Sequence, residues 1–164
     1  MKTILAPIDF SEISRCVIDE AITIARGLHA RLVLLNVVQL ASILGTGVTE
    51  SDLPSGFYAQ AEKDARSRLA ELQKQLRDEG VTAHAIHTVG TPGEQILAQA
   101  DRLGADYIVM GSHGHGALYD LLIGSTTKCV LKQACCPVAI VPPAQGTVRP
   151  VQAVPQEERQ TVGA

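Results

Sequence analysis

A glycine-rich segment with the spacing G-x-x-G-x9-G-S carries the residues best suited to binding a phosphate. Its fixed points are Gly111, Gly114, Gly124 and Ser125. Glycine tolerates positive φ and leaves backbone N–H groups uncovered, so the chain can approach an anion closely. The helix-like run that begins at Ser125 offers unpaired N–H groups and a positive dipole end. The spacing predicts a phosphate-binding loop, and the alternative is a mobile glycine loop without a ligand.

Two other nucleotide-binding motifs are missing from the sequence. There is no G-x-x-x-x-G-K-[ST], and the turn at residues 7–11, which follows the first apolar run, contains no glycine. P-loop enzymes need the first motif, and dinucleotide-binding proteins need glycines in that first turn. Both absences weigh against a Walker-type ATPase and against a nicotinamide-dependent dehydrogenase.

Histidines and cysteines offer little for a metal or redox centre. His113 and His115 lie two residues apart in the glycine-rich segment and supply too few fixed ligands for a metal ion. The cysteines are Cys16, Cys129, Cys135 and Cys136. They lack C-x-x-C spacing and are predicted to be free thiols, with a redox pair or zinc site at the adjacent cysteines as the alternative. Lys128 is predicted to be solvated, with a phosphate contact as the alternative.

Composition narrows the class of protein. The 164 residues, 46% of them hydrophobic, suffice for one domain with a core. Aromatic residues make up 3% and tryptophan is absent, which predicts an aliphatic core and disfavours a base-stacking surface. A net charge of -3 with scattered lysines and arginines argues against a nucleic acid partner. The first residues turn acidic at Asp9, and no apolar run reaches membrane-spanning length, so a cytoplasmic protein without a membrane partner is predicted.

Strand-like and helix-like patterns alternate along the chain. Predicted strands cover residues 3–8, 31–38, 81–89, 105–110 and 137–141, and predicted helices cover residues 11–28, 57–79, 91–103 and 125–133. The third helix has a threonine cap at Thr91, proline at its first position and glutamate three residues after the cap. Residues 39–56 predict a long loop of the kind that forms lids. Residues 144–164 lack apolar periodicity, which predicts a flexible tail after a single domain at 1–143.

This alternation predicts the α/β class, with one open, parallel five-stranded sheet and helices on both faces. In the Rossmann-like strand order 3-2-1-4-5, the first and fourth strands are neighbours whose connections leave in opposite directions. Ligands bind at that switch point, beyond the carboxyl ends of the strands. Asp9 and Gly111 are therefore expected to face one crevice.

The sequence resembles the universal stress proteins from residue 1 to about residue 143. Besides the glycine motif, the resemblance is carried by P-I-D-F-S-E at 7–12, G-T-P at 90–92 and C-P-V-A-I-V-P at 136–142. The glycine motif is that of the family's ATP-binding branch. The resemblance implies a Rossmann-like fold similar to that of the adenine nucleotide alpha hydrolases.

The resemblance also implies roles for particular residues. Asp9 would hold the ribose hydroxyls, and Val37 would meet the adenine through its backbone. The phosphates of ATP, or of AMP or ADP, with or without Mg²⁺, would be surrounded by Gly111, Gly114, Gly124, Ser125 and Thr126. Ile8 departs from the pattern, because the ATP-binding branch often has a small polar residue there. From the residues alone, Asp9 could instead bond its own turn near Ser11, and Ser125 is expected to cap its helix, a role that can coexist with phosphate binding.

Three hypotheses for function follow from these observations. The first is a nucleotide-responsive regulatory or stress-resistance protein with little or no catalysis, in which no residue is predicted to be catalytic or to bind a metal. The second is an enzyme that hydrolyses ATP slowly or transfers an adenylyl group. The third is a structural dimer module with an unoccupied site.

A homodimer is predicted through the fifth strand. That strand is an apolar run at the end of the predicted strand order, made of Val138, Ala139, Ile140 and Val141. An edge strand of this kind exposes unpaired N–H and C=O groups, which antiparallel pairing with a second copy would satisfy. The family resemblance implies the same interface.

Overall fold

The computed structural model describes residues 1–39, 57–112 and 123–143, and this part of the chain contains five strands and four helices. The strands are β1 (Thr3–Pro7), β2 (Arg31–Val38), β3 (Ala83–Val89), β4 (Tyr107–Gly111) and β5 (Val138–Val141). The helices are α1 (Ile13–Leu28), α2 (Phe57–Asp78), α3 (Pro92–Leu103) and α4 (Ser125–Gln133). The predicted tail and all of the predicted long loop except Gln39 lie outside the described residues.

The five strands form one parallel sheet with the order β3-β2-β1-β4-β5. This confirms the predicted class and strand order. β1 lies between β2 and β4, with Leu5 in register with Val33 on one side and with Ile108 on the other. The chain leaves β1 toward β2 and leaves β4 toward β5, so the two connections diverge. The carboxyl ends of β1, β2 and β4 therefore meet at one edge of the sheet.

Successive strand residues point to opposite sides of the sheet, and helices cover both sides. Both faces of the sheet are therefore buried. On one face, Ile4, Ala6, Leu32 and Leu34 pack in a buried cluster with residues of α1 and α2. On the other face, a second cluster joins β1, β2 and β4 to α3 and α4; its members include Leu5, Val33, Leu35, Ile108, Ile96, Ala100 and Val130. The buried hydrophobic side chains of the described part are aliphatic residues and one methionine, Met110. The predicted aliphatic core is confirmed.

Helix ends follow the predicted signals with small shifts. α1 ends at His29, whose left-handed backbone (φ 51°) directs its N–H to the carbonyls of Ala25 and Arg26. α3 begins as predicted, with Thr91 at the cap position and Pro92 first, although the Thr91 side chain makes no capping hydrogen bond. β3 begins at Ala83 rather than residue 81, because the Val81 N–H still bonds to the Leu76 carbonyl at the end of α2.

His87 of β3 has a largely buried side chain that faces Glu62 of α2. Its side chain is 8% exposed, and neither ring nitrogen has a hydrogen-bond partner within the described ranges. The Glu62 carboxylate lies 3.9 Å from His87 Nε2. Burial first, and the positive charge of Arg66 second, lower the pKa of His87, while Glu62 acts in the opposite direction. The folded chain therefore favours the neutral imidazole.

This lowered pKa predicts that the protein loses stability in acid. An unfolded histidine titrates near pH 6.5, so below that pH the unfolded chain takes up the proton more readily than the folded chain. The contribution of His87 is complete above about pH 6.5 and is lost as the pH falls, with a slope of at most about 1.4 kcal/mol per pH unit. Urea denaturation at several pH values should show His87→Leu to be less pH-dependent than the parent. His84→Gln, at an exposed position on the same strand, is the control, and equal slopes for His87→Leu and the parent would contradict this account.

Candidate functional site

A crevice of about 620 Å³ opens where the carboxyl ends of β1, β2 and β4 meet. Its walls come from those strand ends, from α1 and α2, and from the first turn of α4. This volume lies within the usual range for a site that binds a small molecule. Six of the seven residues predicted to bind a ligand line the crevice: Asp9, Val37, Gly111, Gly124, Ser125 and Thr126. Gly114 lies outside the described residues.

The end of β4 and the start of α4 are tied together by hydrogen bonds. The Ser112 N–H donates to the Val141 carbonyl, and the Gly124 N–H donates to the Ser112 carbonyl, both at 2.9 Å. The Thr127 hydroxyl donates to the Gly111 carbonyl at 3.0 Å, and Thr127 is 2% exposed. These bonds fix the amino terminus of α4 beside the carboxyl end of β4, where the first N–H groups of α4, which have no partner within the helix, border the crevice. Thr127 was not predicted from the sequence.

The start of α4 corrects one prediction. Gly124, not Ser125, occupies the cap position, with φ -58° and ψ 157°. The Lys128 N–H donates to the Gly124 carbonyl at 2.9 Å, which closes the first turn of the helix. Glycine is among the residues favoured at a helix cap position. Ser125 is therefore the first helical residue, exposed and on the crevice lining, while Lys128 is exposed and not part of that lining.

Asp9 follows β1 and organises the turn that leads into α1. Its Oδ1 accepts hydrogen bonds from the Ser11 N–H at 3.0 Å, from the Ser11 hydroxyl and from the Ser14 hydroxyl at 3.1 Å. The turn-bonding role considered from the sequence is therefore present. Asp9 is also exposed and lines the crevice, so this role leaves the carboxylate within reach of a ligand.

Buried hydrogen bonds between Ile8, which follows β1, and residues of β2 hold the carboxyl ends of these two strands together. The Asn36 side chain is buried and donates to the Ile8 carbonyl at 2.9 Å, and the Ile8 N–H donates to the Leu35 carbonyl at 2.8 Å. Asn36 Oδ1 has no hydrogen-bond partner in the part of the chain that the structure describes. Ile8 is 5% exposed, so the residue that departs from the family pattern is a core residue here.

Val37 lies near the carboxyl end of β2, in register with Thr88 of β3. It is half-buried and packs against the cluster on the α3 and α4 face. Its position places the end of β2 beside Asp9 in the same crevice.

One face of α2 forms a wall that was missed in the sequence. Ala61, Asp64, Ala65 and Arg68 recur at three- and four-residue steps and all line the crevice. Arg68 lies over the ring of Phe10, with Cζ 4.2 Å from the ring centroid. The signal was a pair of small residues interleaved with two charged ones on one helix face. Asp9, Asp64 and Arg68 are the charged residues that line the crevice in the described part.

The described residues contain neither a disulfide nor a cluster of metal-binding side chains. All four cysteines are free thiols, as predicted, and none lines the crevice. Burial raises the pKa of the Cys136 thiol, which lowers its reactivity. Within residues 1–39, 57–112 and 123–143, no group of three or more histidines, cysteines and carboxylates is arranged to hold a metal ion. His113 and His115 lie outside those ranges.

None of the helices in these ranges combines the length and apolar character needed to cross a membrane.

Gly93 of α3 allows α3 and α4 to approach each other closely. A Cβ atom at Gly93 would lie 2.7 Å from Cys129 Sγ and 2.9 Å from Cys129 Cβ. Gly93→Ala should therefore lower the free energy of unfolding by about 1–3 kcal/mol through overpacking. Gly27→Ala in α1 is the control, because nothing lies within 4 Å of the added methyl group and alanine favours the helix by about 0.5–1 kcal/mol. Urea denaturation measures both, and a Gly93→Ala protein as stable as the parent would show that α4 is not packed this tightly.

Comparisons of sequence and of structure with known proteins both find universal stress proteins. The family model described as the universal stress protein family matches residues 1–142. Universal stress protein A homolog 1 of Coxiella burnetii is 33% identical over 141 residues, covering 85% of this chain and 95% of that protein. The solved structure of MJ0577, a universal stress protein of Methanocaldococcus jannaschii, superposes with a TM-score of 0.75 at 30% identity, covering 88% of this chain and 98% of that one. A universal stress protein in complex with cAMP has the same fold, with a TM-score of 0.64 at 23% identity over 87% of this chain and 98% of that one.

Proposed function

Because the chain belongs to the universal stress protein family, we propose that it binds an adenine nucleotide, ATP foremost, and acts as a nucleotide-responsive regulatory or stress-resistance protein. The observation that carries this proposal is the crevice at the switch point of the sheet. Chain segments far apart in sequence bring Asp9, Val37 and the start of α4 to one cavity of ligand size.

The phosphates would lie at the start of α4. Gly111, Gly124, Ser125 and Thr126 line that end of the crevice, and Gly114 is assigned to the same role by the glycine motif. Backbone N–H groups and hydroxyls suit this task because they donate hydrogen bonds to phosphate oxygens, and the helix dipole adds positive potential. The lining of the described part carries two carboxylates and one guanidinium, so backbone donors, with Mg²⁺ accompanying the nucleotide, would have to provide most of the attraction.

The nucleoside would lie between the ends of β1 and β2 and the α2 wall. Asp9 would accept hydrogen bonds from the ribose hydroxyls, and the backbone at Val37 would meet the adenine edge. Ala61 and Ala65 leave room opposite that strand end, since their side chains are single methyl groups. The cAMP complex of a family member with the same fold is in line with an adenine nucleotide as the ligand class.

Binding rather than turnover is the proposed activity. Phosphoryl transfer requires a group that orients the attacking water and a metal held against the phosphates. Donors from backbone and hydroxyls stabilise bound phosphates without supplying either. The proposal extends to a homodimer joined through β5 and to a cytoplasmic location, where the four thiols would remain reduced.

Asp9→Ala tests the nucleoside end of this proposal. Losing the hydrogen bonds that two hydroxyls donate to a charged acceptor should raise the Kd for ATP by about 10- to 100-fold. Asp9→Asn is the matched control, because its amide oxygen can still accept from Ser11 and Ser14 and hold the turn, and it should lose less affinity. Calorimetry measures both, with circular dichroism to check the fold. Unchanged affinity in a folded Asp9→Ala protein would remove the ribose from Asp9.

A further inference from the structure

The residue that follows Asp9 has an unfavourable backbone conformation. Phe10 has φ 61°, in the left-handed region that bulky side chains rarely adopt. Such strain persists only where neighbouring groups hold it, and it concentrates at functional sites. At Phe10 the neighbouring group is Arg68 of α2, whose guanidinium lies over the ring at 4.2 Å. This is the geometry of a cation–π contact.

The contact also separates two cavities. Phe10 and Arg68 line the crevice and also a second, more open hollow of about 500 Å³ between α1 and α2. Ser11 and Ser14 border the same hollow, and their donors reach Asp9 Oδ1. The strained residue, its stacked cation and the donors that orient the Asp9 carboxylate are therefore contiguous.

Arg68 differs from the nearby arginines Arg15 and Arg66 in its partner, which is an aromatic ring and not a carboxylate. Arg15 pairs with Asp19, and Arg66 pairs with Glu62 one helical turn away. Among the described residues Arg68 has no carboxylate partner and makes the ring contact instead. The other side of the strand end is held independently, since Asn36 donates to the Ile8 carbonyl. Asp9 is thus bonded directly by Ser11 and Ser14, while Asn36 bonds the residue before it and Arg68 stacks on the residue after it.

We propose that Arg68 is a positioning residue for ribose recognition. By stacking on Phe10, it holds the left-handed backbone that aims the Asp9 carboxylate into the crevice, and this sets the preference for nucleotides with free 2′ and 3′ hydroxyls. The inference rests on the proposed nucleotide binding and adds to it the residue that positions the ribose contact. Without Arg68, the Phe10 backbone relaxes to negative φ and the carboxylate turns away from the ribose.

The test compares ATP with 2′,3′-dideoxy-ATP by calorimetry. The parent protein should prefer ATP. Arg68→Met should weaken ATP binding by about 3- to 10-fold more than it weakens 2′,3′-dideoxy-ATP binding, because losing the guanidinium from the crevice lining affects both triphosphates alike and only ATP also loses its ribose contact. Arg68→Lys, which keeps a cation over the ring, should retain part of the preference. In the Asp9→Ala background, Arg68→Met should weaken ATP and 2′,3′-dideoxy-ATP binding equally, because the ribose contact is already lost.

A second variant, Phe10→Gly, tests the same role if Arg68→Met does not fold. Phe10→Gly removes the ring but adopts φ 61° without strain, so it should fold, and its freedom to leave that conformation should cost the same ribose preference. Equal losses for ATP and 2′,3′-dideoxy-ATP in Arg68→Met would overturn the proposal, since Arg68 would then act on another part of the ligand. If the parent binds both nucleotides equally, nucleotide binding stands and the positioning role fails. If the parent binds neither, the proposed function fails, and the positioning role with it.

Discussion

Replacing Ser125 by aspartate should lower the affinity for ATP by at least about 100-fold while the protein stays folded. Ser125 is the first residue of α4, exposed and on the crevice lining. A carboxylate there would face the phosphates at close range, where each unit of like charge costs about 4 kcal/mol at a separation of 4 Å in a partly screened environment. The fold should tolerate the change, because α4 has no acidic residue in its first turn and a negative charge there suits the helix dipole.

Two control variants show whether the loss of affinity in Ser125→Asp depends on where the negative charge lies. Ala98→Asp, at an exposed site on α3, changes the net charge by the same amount away from the crevice and should leave the affinity within about twofold. Ser125→Ala removes one hydroxyl and should fall between these results. Calorimetry with ATP and Mg²⁺ decides the matter. If folded Ser125→Asp binds ATP as the parent does, the phosphates do not lie at the start of α4.

Ile140→Pro, in the edge strand β5, should convert the proposed dimer into a monomer. The Ile108 N–H donates to the Pro137 carbonyl, and the Ser112 N–H donates to the Val141 carbonyl. Because the direction of backbone groups alternates along a strand, Val138 and Ile140 present theirs to the outer edge. Proline at 140 removes an outward N–H and leaves the bonds to β4 in place, and proline is tolerated on edge strands.

Light scattering gives the mass in solution. The parent should show twice the chain mass of 17.4 kDa and Ile140→Pro should show the chain mass itself. Ile140→Val keeps the N–H and should remain dimeric. A parent-like mass for a folded Ile140→Pro protein would exclude β5 as the interface.

Apolar periodicity was enough to predict the architecture. The continuous run Leu32–Leu35 is buried on both faces of the sheet, as its lack of alternation indicated. The glycine motif predicted that Gly111, Gly124 and Ser125 lie close together between the end of a strand and the start of a helix, and all three line the crevice. The error at the cap of α4 was one residue, and it arose because glycine and serine are both good cap residues.

The rest of the site depends on contacts between distant segments. The α2 wall looked like an ordinary exposed helix face, since alanine and charged residues are common on such faces. The left-handed Phe10 contradicts the local preference of a bulky residue, and its ring lies under Arg68, 58 positions later in the chain. The bond from Asn36 to Ile8 likewise joins two strands. No local pattern signals such pairings, because they arise only when the sheet brings its strand ends together.

Calorimetric titration of the purified, nucleotide-free wild-type protein with ATP decides whether the crevice binds an adenine nucleotide. We expect saturable binding of one ATP per chain and displacement of ATP by AMP and ADP. Circular dichroism of the same sample confirms that it is folded. Absence of binding at millimolar ATP, with and without Mg²⁺, in a folded sample would contradict the assignment of the crevice to an adenine nucleotide.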